Sequence, residues 1–202
     1  MFIRWAGRTI PRMDADLLRR ILREADLRVS VSGDESQFEV AAPGGEPVLD
    51  VDIARPNQDG LFEDDRSELL GRLREAKPDA GARHASGLVT RARAIATLTP
   101  YWAEAPEHAG EALEAVMGFL VEQSDGVSYL LDHGFSNRHG HLIAIEADMD
   151  AEGVGSAALV DGEFWATFAL DLADPQAVAA FREGRRPRDA EPGRRAPLEP
   201  LD

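Results

Sequence analysis

The chain has 202 residues, 44% hydrophobic and 29% charged, enough apolar side chain to offset the entropy of ordering a backbone and so to fold. It contains no cysteine, which excludes disulfides, thiolate zinc sites, iron–sulfur clusters and cysteine nucleophiles together. The formal net charge is −15, and it is concentrated: Ala103–Asp174 carries 15 acidic residues against the single base Arg138, while the flanking stretches are nearly balanced.

From the N-terminus, Phe2–Ala6 reads as a first strand. Asp14 then stands where it can cap a helix whose apolar positions Leu17, Leu18, Ile21, Leu22 and Ala25 share one face. Leu27, Val29 and Val31 alternate with polar residues, a second strand follows the Gly33-Asp34 turn around Phe38 and Val40, and a third carries Leu49, Val51 and Ile53 on one side and Val48, Asp50 and Asp52 on the other. These make a β-meander. Asp64 or Asp65 is placed to cap a second helix, with Pro78 stopping it; Asp79–Gly87 reads as a loop, and Leu88–Leu98, with its β-branched residues, as a strand.

Pro106 suits the first turn of a helix in which Ala109, Ala112, Leu113, Val116, Met117, Leu120 and Val121 recur at helical spacing, ended by Gly126. Val127–Leu131 and His141–Ala147 then read as two strands of a hairpin around the loop His133–Gly140. Ala157–Val160 and Phe164–Leu170 flank the Asp161-Gly162 turn, and Asp174-Pro175 opens a short helix. Gly184–Asp202, with four prolines, five arginines and almost no apolar residue, reads as a flexible tail. The expected fold class is α+β, a mainly antiparallel sheet with helices packed on one face. The expected organisation is one domain over 1–183, or two similar halves of about 1–102 and 103–183, with a disordered tail at 184–202.

Several groups of residues could carry chemistry. His133, His139 and His141 cluster within nine positions, and a His-x-His pair in extended chain sets both rings on one side, as a metal site requires; Asp132, Glu146 or Asp148 would complete the sphere around zinc or another divalent ion. The competing reading is a polar loop with solvated histidines. Asp50 and Asp52 share a strand face, with Asp59, Glu63, Asp64 and Asp65 following, a set that could hold Mg²⁺ or Ca²⁺ but also suits a solvated strand face and a helix start. Tyr101-Trp102 could anchor a partner or close a core edge. No nucleophile elbow, phosphate-binding glycine loop or HExxH motif occurs.

Glu104, Glu107, Glu111, Glu114 and Glu122 would line the exposed side of the strongest helix. Such a one-sided surface attracts a basic partner, and otherwise serves solubility. A folded body this acidic repels nucleic acid, so none is expected as a direct ligand. The absence of a secretory leader pattern or a long apolar run makes a cytoplasmic location and no membrane the expectation. The leading reading is a non-enzymatic acidic protein that masks a basic partner such as a toxin or nuclease, with no cofactor. The alternative is a metal-binding protein or metal-dependent hydrolase built on the three histidines.

Overall fold

The structure, a computed structural model, describes residues 2–9, 12–57, 60–104, 106–131, 133–147 and 152–201. Among the described residues it is α+β, with five helices and strands that pair antiparallel except where Leu142 meets Ala157 in parallel. The chain divides into two compact units: residues 1–65 with 92–125, and residues 66–91 with 126–202. Neither is a continuous stretch, so the organisation differs from two successive halves.

In the first unit the strands β1 (Ile3–Gly7), β2 (Ser30–Gly33), β3 (Gln37–Ala41), β4 (Pro47–Ala54) and β5 (Ala94–Pro100) lie in the order β1-β5-β4-β3-β2. Their register aligns the apolar positions across strands: Trp5 faces Ala96, Ala96 faces Ile53, Leu98 faces Val51, Val51 faces Phe38, and Leu49 faces Val40. Period-two alternation therefore puts this whole set on one side, where Leu18 and Leu22 of α1 (Ala15–Glu24) and Ala112, Val116 and Leu120 of α4 (Pro106–Gln123) close the core. The Asp14 carboxylate accepts from the Leu17 N–H at 2.8 Å, the expected cap of α1. Ser124, just past α4, accepts from the buried Trp5 Nε1 at 2.9 Å and donates to the Leu120 carbonyl, so the indole enters the core with its donor satisfied.

The helix α2 (Leu61–Glu75) begins ahead of the expected Asp64 or Asp65 cap, and the boundary between the units falls within it. The second unit contains its later turns, α3 (Asp79–Arg91), α5 (Pro175–Arg182) and the strands β6 (Gly126–Leu130), β7 (Gly134–Asn137), β8 (Leu142–Ala144), β9 (Val154–Asp161), β10 (Phe164–Asp171) and β11 (Pro192–Pro197), in the order β11-β10-β9-β8-β7-β6. Phe168 and Leu170 of β10 pack with Ala177 and Phe181 of α5, while Trp165 meets His84 of α3 edge-on at 5.0 Å.

Three expectations fail here. Residues 79–91 are a helix, neither loop nor strand: Ala82, Ala85, Leu88 and Val89 form its buried side, and Gly81 lets α3 approach β8 so closely that a Cβ there would meet the Ile143 carbonyl oxygen at 1.9 Å. Half of the His133–Gly140 stretch is strand β7, so β6 pairs with β7 rather than with a strand at 141–147. The stretch at 184–202, expected as a tail, forms β11 against β10 and buries Glu199. Pairing with the edge of β10 and a few point contacts, rather than a run of apolar side chains, order it.

Candidate functional site

Along α4 every fully buried position is apolar or small: Ala109, Ala112, Val116 and Leu120. The opposite positions are Glu107, Glu111, Glu114 and Glu122, all exposed, with exposed Gly118 interrupting the row. At about 100° per residue these acids fall within an arc of roughly 80° and run over about 22 Å of helix. Glu104 is exposed in the turn before it. Helix energetics do not explain the row. A first-turn carboxylate such as Glu107 is favoured by the helix dipole, but Glu122 sits at the end where the dipole disfavours it, and no basic residue occurs in the last turn. Glu107–Glu111 and Glu111–Glu114 are like-charge pairs at (i, i+4) and (i, i+3), which cost stability instead of adding it.

Trp102 adjoins this row. It is 39% exposed, one of the few large hydrophobic side chains at the surface. Its ring stands 3.5 Å from where a Cβ on Gly110 would be, an ordinary van der Waals distance, so the indole lies over the first turns of α4. Tyr101 turns the other way and donates its hydroxyl to Asp50 Oδ2 at 2.7 Å; this bond and the Asp50 charge push its phenol pKa up. The aromatic pair is thus divided, one ring tied down and one presented beside carboxylates.

Asp50 and Asp52 occupy the sheet face opposite the core, in a shallow cleft of about 410 Å³ with Asp34, Gln37 and Glu39. Burial, then the neighbouring Asp50, raises the Asp52 carboxyl above its usual range. Asp65 pairs with Arg4 at 3.1 Å, and Asp59 lies outside the described residues.

The histidines are spread over separate hydrogen bonds. Asn137 Oδ1 accepts from the backbone N–H groups of His139 and His141, both at 3.0 Å, which shapes the loop between β7 and β8. The His141 ring bonds Ser156 Oγ at 2.7 Å, and burial followed by nearby His139 lowers its pKa. The His139 and His141 ring centroids are 6.2 Å apart, and the His133 ring contacts the Leu131 carbonyl at 3.4 Å. Glu146 is drawn elsewhere: it accepts from Arg72 at 3.2 Å and from the Tyr129 hydroxyl at 3.2 Å. Arg72 lies over the Tyr129 ring, and burial together with the Glu146 charge takes the Tyr129 phenol up to about 12. Asp132 and Asp148 lie outside the described residues. Among the described residues no group of three His, Asp or Glu side chains is placed to hold a metal ion, and no helix is long and apolar enough to cross a membrane.

One cluster has no counterpart in the sequence reading. Glu199 Oε2 accepts from Trp165 Nε1 at 2.8 Å and lies 3.2 Å from His84 Nε2, while its Oε1 is 3.4 Å from the Arg138 backbone N–H. The Glu199 side chain is 1% exposed. Burial pushes its carboxyl up, and the His84 and Trp165 hydrogen bonds more than offset that, holding it below the usual glutamate range. His84 fell in an expected loop and Glu199 in an expected tail, 115 residues apart, so no local pattern could join them.

No family model, curated protein or solved structure matches this chain.

Proposed function

We propose that the protein is a non-enzymatic binding protein whose α4 face docks a basic protein partner and masks its positive surface. The observation that carries this reading is the row Glu107, Glu111, Glu114 and Glu122, exposed on a helix without a single Lys or Arg and unfavourable to that helix by itself. A charge arrangement that costs its own element stability is accounted for by what it meets outside. Trp102 supplies the apolar contact that interfaces add to charge: an indole at the centre of a desolvated patch contributes binding energy, while the surrounding glutamates steer encounter and set orientation. A nuclease or toxin whose own nucleic-acid groove is cationic has the complementary field.

The test is to titrate isotope-labelled protein with an arginine-rich peptide and map the amide shifts. They are expected to centre on residues 102–122, to fade as salt rises through physiological strength, and to shrink at least about five-fold in the Glu107→Gln/Glu111→Gln/Glu114→Gln protein. Shifts distributed over all acidic surfaces alike, or unchanged by the triple substitution, would sink the reading.

A further inference from the structure

The C-terminal segment is held in an unusual way for a strand. In β11 the residues Pro192, Gly193, Arg194, Arg195 and Pro197 are exposed and only Ala196 is half-buried, so it contributes almost no apolar burial. Its two prolines donate no hydrogen bond to β10. What fixes it lies at particular points. Gly193 passes so close to β10 that a Cβ would stand 2.3 Å from Thr167 Oγ1, which itself donates to the Arg194 carbonyl at 2.6 Å. Leu201 fills the space that Gly87 leaves on α3, its methyl carbons 3.0 Å from where a Cβ would be. Between these contacts Glu199 enters a pocket made by Trp165, His84 and the Arg138 N–H, groups converging on one carboxylate.

That pocket is a carboxylate receptor in its own right: His84 and Trp165 are 7% and 0% exposed, and stacked edge-on. Beside it, the outer edge of β10 is an unpaired strand edge whenever β11 leaves, open to any extended chain in the same register. We propose that the β10 edge and the Trp165–His84 pocket together form a docking site for an extended peptide bearing a glutamate, and that Pro192–Leu201 is its intramolecular occupant, a strap released as a unit and anchored by the Glu199 carboxylate. This site is in the second unit and is independent of the α4 face.

Hydrogen exchange on the full-length protein tests it. In Glu199→Gln, which keeps the shape but not the charge, amides of β11 and the edge amides of β10 should exchange about ten-fold faster, with β6–β9 unchanged. Unchanged exchange would show that the carboxylate is not the anchor, and faster exchange throughout the second unit would show core rather than strap; either overturns the proposal. A second arm uses Gly193→Ala, whose added Cβ keeps its own segment from seating. A synthetic peptide with the sequence of residues 192–201 should restore slow exchange at the β10 edge of this variant. The same peptide with glutamine at the Glu199 position should need at least about ten-fold more. Failure of the glutamate peptide to protect β10, or equal protection by both peptides, refutes the site.

Discussion

Glu199 and the glutamates of α4 show two opposite uses of the same side chain. Glu199 is withdrawn from water and meets three donors; the α4 acids meet water and one another. A buried carboxylate must be matched by the protein itself, because an unmatched one costs several kcal/mol, so its partners reveal its role. An exposed carboxylate carries no such obligation. Its arrangement is informative only where it runs against local energetics, as the row on α4 does at Glu122 and at the pairs Glu107–Glu111 and Glu111–Glu114.

This contrast can be broken experimentally. The largest effect is expected from Trp165→Ala, which removes a fully buried ring and one donor to Glu199: a loss of about 3–5 kcal/mol by chemical denaturation. A loss below about 1 kcal/mol would mean that the pocket is not a packed centre. Next comes acidification. Because the folded pKa of Glu199 is depressed below its ordinary 4.5, the carboxylate's contribution is present above that value and disappears as pH falls through the lowered one. Exchange protection of β11 should therefore hold from neutral pH to about 4.5 and then drop, with the drop missing in Glu199→Gln. A drop at the same pH in both would assign it to other carboxylates. The smallest effect is expected on α4, where Glu107→Gln/Glu111→Gln/Glu114→Gln should leave the thermal midpoint unchanged or slightly raised at low salt, a gain under about 1 kcal/mol in total. A marked loss of stability would show that the row supports the fold, and would remove the argument that it faces a partner.

What the sequence disclosed divides along the same line. The Asp14 cap, the apolar face of α1, the meander through Leu49, Val51 and Ile53, and the glutamate row are periodic features within one element, legible because side-chain direction follows backbone period. The helix α3 was obscured by composition: its alanines tolerate either state and its Val89 and Thr90 favour strand, and only packing against β8 through Gly81 settles the matter. The strand β11 has no apolar alternation to read, since β10 lends it structure. The Glu199 pocket needs α3, β10 and the loop after β7 to meet, which no local window contains. The histidine group, dense in sequence, does not bring three rings together among the described residues: His139 and His141 stay 6.2 Å apart, and the His141 ring is taken by Ser156.

The strand order of the first unit has a consequence for synthesis. The strand β5 lies between β1 and β4, yet follows β4 in sequence by some 40 residues that belong largely to the other unit, and α4 follows later still. As the chain leaves the ribosome, the early strands therefore wait with apolar faces uncovered until residue 125 has emerged, while α3 is already out and waiting for β6–β9. Each unit depends on translation of part of the other. A contiguous gene fragment ending at 65 would encode a sheet without β5, and one ending at 102 would have all five strands but no α4 to cover them, whereas two co-expressed pieces cut within an exposed turn could still assemble.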